Sequence, residues 1–556
     1  MSLRIAPLAV FAAASAVPSA WAQSPQALIA EANRDYAAKR YAQAAAAYLR
    51  VFDLDPAEPS FAYNAACCQA LLGQADAAFQ SLERAVAAGF ANADGAARDT
   101  DLAPLRADAR WDGLLARMRD RGLKERAFWN SPAMATGYRE TLSEDERIAG
   151  LSRFWSEVKF NFVDTDRLDA LDWDALYLRT LPKARAAATT ADYYRVLAEL
   201  CAQLKDGHTN VYPAAEIREA RGAQPLLRTR LVEGRVLVTR VEDAALKAQG
   251  VKPGVEVVTV DGKPVKAYAE TFLAPYQSAS TPQDLDTRIY TYAFLSGPLA
   301  ETARVGFLDE AGRRFECAVS RVPGEVRRKE MPPEPPFSFR MLPGGVALVT
   351  LTTFGTAATA DQFMAAFPQI AAAKALILDV RANGGGNSSV GYRILATLAK
   401  APFLGTAWAT RDYKPAFRAW ERPRQVYRQS PSPMPPDGDR HFDGPVAVLT
   451  SPATYSAAED FSVAFVAMKR GLVVGEPTGG STGQPLFIPL PGGGSARICT
   501  KRDTFPDGKP FVGVGVQPDR LVRPLVADFR QGRDTVLEAA LEELARQVEA
   551  KVTARP

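Results

Sequence analysis

The sequence predicts an α/β core with an inserted β domain and an α-helical N-terminal region, and three stretches carry that expectation. The run ALILDV at 375–380 is almost wholly apolar, as a parallel strand buried on both faces must be. The run VAVL at 446–449 breaks at Ser451-Pro452, and a helix opens at Ser456. Between 222 and 325, short apolar strands alternate with glycine turns, the pattern of a small β domain.

The bulk composition sets limits on function. A chain of 556 residues holds roughly three or four domains at about 150 each. Hydrophobic residues make up 47% and charged ones 23%, enough apolar material for real cores. With 67 basic and 63 acidic side chains the net charge is +4, too small an excess to indicate a nucleic-acid or membrane-surface partner. The five cysteines form an odd, sparse set without metal-ligand spacing, and there are two histidines, so neither a metal site nor a cofactor is expected.

Taken in order, the chain begins with Arg4, an apolar stretch over 5–17, and Ala20-Trp21-Ala22. A basic start, a short apolar segment and an A-x-A site read as a signal peptide, 1–22, cut after Ala22, which implies a periplasmic or secreted chain. A retained anchor is the alternative, but the stretch falls short of the ~20 residues that span a bilayer. No integral membrane segment is expected after its removal. Residues 23–125 are alanine-rich helices, with a turn after each pair. They resemble tetratricopeptide-like repeats, which take protein partners; a helical cap on the core is the alternative.

Residues 126–221 form a second helical block, in which 193–204 ends at Lys205-Asp206-Gly207-His208-Thr209. A glycine there is an ordinary helix stop, and it holds His208 on a defined turn. The other histidine, His441, lies in a Pro/Asp/Gly-rich stretch, so His208 is the better candidate for an imidazole base. Within 222–325, the order strand, short helix, Gly250-Val-Lys-Pro-Gly254, strand and Asp261-Gly262 hairpin resembles a PDZ domain, which holds an extended chain end on a sheet edge. Residues 273–299 read as an irregular insertion in it.

The α/β core is expected over 337–530, with a C-terminal helix over 531–556. After the strand at 375–380 come Gly384-Gly385-Gly386, which let bare backbone approach a partner closely. Phosphate cradling and an oxyanion hole are both open readings, although no G-x-G-x-x-G or Walker lysine is present. Ser456 on a strand-to-helix turn suits a nucleophile. Ser456-Ala-Ala-Glu459 is equally a capping box.

The order DGHT, β module, LILDVRANGGG, SPATYSAAED, VVGEPTGGS and GVGVQPD resembles the tail-specific (C-terminal processing) serine peptidases. Within that family it is similar to the histidine-bearing branch of the tricorn core and the retinoid-binding-protein repeats. The resemblance implies a crotonase-like β/α spiral with an inserted PDZ domain and cleavage of polypeptides near their C-terminal ends. It implies Ser456 as nucleophile, the amides of Gly384 or Gly385 and of Ala457 as oxyanion hole, and His208 as base. Where the dyad branch has its lysine this chain has Ser481, and Lys469 lies too far along the helix, about 20 Å from Ser456. Ser481 is expected to lend a hydrogen bond. The acid of the tricorn branch has no counterpart in Phe511-Val512-Gly513, which leaves Glu459, then Asp503 or Asp379, as the third member. The competing expectation is an inactive relative that binds peptides or apolar ligands. An esterase on the same site is a weaker rival, because no G-x-S-x-G elbow is present.

Overall fold

The computed structural model describes residues 25–553. The expected signal peptide, 1–22, lies outside the described residues. The described residues form two compact units, one ending at Pro132 and the other beginning at Ala133.

The first unit is helical, as its alanine content dictates. Pro25–Ala37, Tyr41–Leu54, Ser60–Leu71 and Ala75–Ala87 follow one another, and Trp111–Trp129 is the last long helix. Left-handed backbone at Lys39 (φ 57°) and Gly73 (φ 72°) turns the chain between them. Small side chains meet at the crossings: Ala32, Ala44, Ala47, Ala65 and Cys68 are all buried. Cys67 and Cys68 are buried free thiols.

The second unit holds the α/β core. Its sheet runs in the order Arg520–Leu521, Leu472–Gly475, Val446–Thr450, Ala375–Asp379, Val346–Leu351, Phe337–Leu342. All neighbours are parallel except the last pair. Alternation along a strand sends successive side chains to opposite faces. Leu376, Leu378, Val446 and Val448 therefore pack against the helices Ala358–Ala371, Ser388–Ala396 and Ala457–Ala467. Ala375, Ile377, Ala447 and Leu449 pack against Val536, Ala540 and Leu544 of the Thr535–Thr553 helix.

Residues 227–320 form an antiparallel sheet in the order Leu227–Val232, Arg235–Val241, Glu256–Val260, Thr302–Leu308, Arg314–Ser320. Asp261 (φ 48°) and Gly262 (φ 75°) make the hairpin that returns Lys263–Pro264 onto Glu256–Val260. The segment 273–299, expected to be irregular, instead contains the helix Pro282–Thr287 running into a π-helical turn, Arg288–Ala293. Six-residue pieces are too short to display helical spacing in the sequence.

The helical block does not close its own core. Phe154, Tyr193, Leu197 and Leu200 share one cluster with Ile488, Leu490, Ala496 and Ile498 of the Pro485–Leu490/Gly494–Cys499 hairpin. The short strand Asn210–Tyr212 then pairs with that hairpin, Asn210 opposite Arg497. This pairing carries the DGHT turn toward the ends of the core strands.

Candidate active site

Ser456 sits beyond the carboxyl end of Val446–Thr450, where parallel sheets place their ligands. The loop leading to it is tied to the neighbouring strand end. Ser451 Oγ donates to the Arg381 carbonyl (2.6 Å), Thr454 Oγ1 to Val380 (2.9 Å), and the Tyr455 amide to Asn383 (3.0 Å). So held, Ser456 adopts φ 57° and ψ −126°, a backbone state that a residue with a Cβ keeps only under constraint. Its carbonyl accepts from the Glu459 amide at 2.7 Å, and its hydroxyl faces His208.

The DGHT turn has a physical reason for each member. Asp206, buried, accepts the His208 amide and the Thr209 hydroxyl, both at 2.9 Å. A Cβ on Gly207 would lie 2.1 Å from the Tyr455 hydroxyl and 2.8 Å from an Asp284 carboxylate oxygen, so nothing larger fits. His208 Nε2 lies 3.0 Å from Ser456 Oγ, and Nδ1 lies 2.9 Å from Ser481 Oγ. The ring stacks on Tyr455, with centroids 5.0 Å apart and planes 3° from parallel. Burial, with the positive charges of Arg497, Arg288 and Lys501 adding to it, holds the imidazole pKa well below its ordinary value. The ring is neutral at neutral pH.

The expected acids do not reach that ring. Glu459 is wholly buried, and its carboxylate accepts from Thr478 Oγ1 (2.5 Å), Gly480 N (2.7 Å), Ser481 N (2.8 Å) and Ser456 N (3.3 Å). It braces the 478–481 loop and closes the return arm of the capping box, one residue short of touching His208. Asp503 pairs with Lys501 and accepts from Thr482, and Asp379 is bound by Arg381. The partner on Nδ1 is a serine.

The glycine run approaches Ser456 closely. Gly385 has φ 95°, and a Cβ there would lie 2.6 Å from Ser456 Cβ. Its amide, however, donates to Asn383 Oδ1 at 2.9 Å. That corrects the expectation that Gly385 could be an oxyanion donor, because its single N–H is already spent. The Gly384 and Ala457 amides find no acceptor among the described residues.

Several neighbours carry no sequence signal. Arg288 pairs with Asp284 (2.8 Å) and donates to the Gly207 carbonyl (3.0 Å) and the Tyr455 hydroxyl (2.9 Å). Arg497 donates to the same carbonyl at 3.1 Å. With Ser456 and His208 these residues line a cavity of about 490 Å³. His441 lies apart, 3.2 Å from Asp443. No candidate metal cluster among the described residues involves this site.

Residues 345–522 match the model of Peptidase family S41. Over 407 residues the chain is 26% identical to the tricorn protease homolog 2 of Streptomyces coelicolor, covering 69% of this chain and 31% of that protein. Over 293 residues it is 25% identical to the chloroplastic C-terminal processing peptidase of Tetradesmus obliquus, covering 52% and 57%. The chain thus spans less than two thirds of either relative's length. Mature CPAF shares the fold, with a TM-score of 0.59 at 15% identity over 73% of this chain and 98% of that one.

Proposed function

Starting from a chain whose residues 345–522 match the model of Peptidase family S41, we propose that it is an exported serine endopeptidase of the tail-specific type, cutting polypeptides through an acyl-enzyme on Ser456. The observation that carries this reading is the 3.0 Å approach of His208 Nε2 to the Ser456 hydroxyl. With its proton on Nδ1, donated to Ser481, the imidazole takes the Ser456 proton at Nε2 while the oxygen attacks a peptide carbonyl. The amides of Gly384 and Ala457 hold the oxyanion. The imidazolium returns the proton to the departing amine as the C–N bond breaks. His208 then deprotonates a water, which releases the acid product and restores Ser456.

The remaining parts serve delivery. Residues 222–325 act as a PDZ-like module that takes the substrate's C-terminal end along a sheet edge, inserted in a crotonase-like spiral. The repeat-like helices of 23–125 hold a protein partner. The segment 1–22 directs export to the periplasm or beyond.

Fluorophosphonate labelling tests the reading. The wild type is expected to label, Ser456→Ala not at all, and His208→Ala more slowly by roughly 10²- to 10⁴-fold. A silent wild type, or equal labelling of Ser456→Ala, would overturn it. A second reading, an inactive peptide- or ligand-binding protein, is favoured by one observation: among the described residues no carboxylate meets His208 Nδ1, and Arg288 and Arg497 raise the positive charge around the ring. Peptides bound saturably and recovered intact would decide for it.

A further inference from the structure

The active-site cavity is the first of three that share walls. A chamber of about 680 Å³ has Thr287, Tyr292, Pro452 and Ala453 in common with it. An outer groove of about 490 Å³ meets that chamber at Arg228.

Charge is distributed unevenly along this route. In the chamber, cations and anions largely cancel: Arg230 pairs with Glu476 at 2.7 Å, and Arg381 with Asp379 and Asp534. In the groove, Arg218, Arg228, Arg327 and Arg328 face the single acid Glu219. Among the described residues no carboxylate pairs with any of the four. Arg218 and Arg327 only donate to the carbonyls of Pro213 (2.9 Å) and Pro225 (3.2 Å). Burial, and then the charge of Arg228, hold the Arg327 guanidinium below its ordinary range. Arg228 also stands on Leu227–Val232, the outermost strand of its sheet.

We propose that this groove selects substrates by an acidic stretch, with glutamate and aspartate side chains set against Arg218, Arg228, Arg327 and Arg328 while the chain continues through the chamber to Ser456. The inference rests on the peptidase reading for its last step only. A terminal carboxylate brings one negative charge, too few for four unpaired guanidiniums, whereas an acidic segment supplies one per residue. The recognised feature is therefore internal acidic sequence.

The test measures binding separately from cutting. Fluorescent peptides, one Glu-rich and one with Gln in place of each Glu, each with a free or amidated C-terminus, are titrated against Ser456→Ala protein. The Glu-rich peptide is expected to bind about tenfold tighter at low salt, with amidation making little difference. Arg228→Glu combined with Arg327→Glu removes the preference; Arg327→Gln with Arg328→Gln, both on the surface helix Gly324–Glu330, reduces it if the first pair folds poorly. Equal binding of the two peptides, a preference lost on amidation, or a preference surviving both variants would overturn the proposal. If the Glu-rich peptide binds but the wild type leaves it intact, the peptidase reading fails and the groove stands. If both peptides are cut without preference, only the groove falls.

Discussion

His208 Nδ1 meets the Ser481 hydroxyl at 2.9 Å, while the expected acid, Glu459, accepts the Ser481 amide instead. A neutral hydroxyl can orient an imidazole, but it gives little support to the imidazolium that forms during attack. Ser481 is thus a positioning residue, acting through His208. In Ser481→Ala, Nδ1 loses its partner in a buried site, a cost of about 1–3 kcal/mol. We expect kcat/KM to fall roughly 10- to 100-fold with KM little changed. Steady-state kinetics on a peptide substrate checks this; a change confined to KM would assign Ser481 to substrate binding.

The pH profile follows from the same ring. His208 works as a base only when neutral, and burial together with Arg497, Arg288 and Lys501 holds its pKa well below 6.5. Lowering the pH from about 7.5 to about 6 should therefore leave kcat/KM flat, where an unperturbed histidine would lose most of its base form. The acid limb appears only at lower pH. Arg497→Gln removes one of the charges that disfavour protonation, so its limb should move upward. A wild-type limb at or above 6.5 would contradict the assignment.

Two adjacent glycines should respond differently to alanine. A Cβ at Gly385 meets Ser456 Cβ at 2.6 Å and the Tyr455 carbonyl at 2.7 Å, with φ at 95°, whereas one at Gly384 meets nothing within 4 Å. Gly385→Ala should lower stability by about 1–3 kcal/mol and abolish labelling of Ser456. Gly384→Ala keeps the fold and leaves its amide in place. Thermal melts and labelling of both variants test this, and equal behaviour would count against it.

How much of this was legible depends on how far each feature is local. The buried strand at 375–380, the helix after Ser456 and the DGHT turn are written in contiguous residues, and they could be read. The local sequence marks Gly207 as a helix stop, yet its stronger constraint is the Tyr455 hydroxyl, 248 residues further along the chain, and no local pattern records that. Arg288 lay hidden because its π-helical turn is too short to show a period. The sequence points to an acid as the third member of the constellation, since carboxylates are the usual partners of a catalytic imidazole. Only the packing of the 478–481 loop decides that Glu459 faces the amides of Gly480 and Ser481.

That buried carboxyl should leave a mark on stability. Burial pushes the Glu459 carboxyl up from 4.5 to about 8, against the donors that surround it. Its folded pKa lies above its unfolded one, so between those values the folded state holds more protons than the unfolded state. The contribution of this group is then fully present below about 4.5 and is lost as pH rises through about 8. Glu459→Gln does not titrate, so subtracting its unfolding free energy from that of the wild type isolates the effect. The difference should move against the wild type from pH 5 to 8, by at most about 1.4 kcal/mol per pH unit. Denaturant titrations at several pH values measure it. A difference that stays flat would mean that the four donors keep Glu459 ionised throughout, in which case its hold on the Ser481 loop does not weaken in acid.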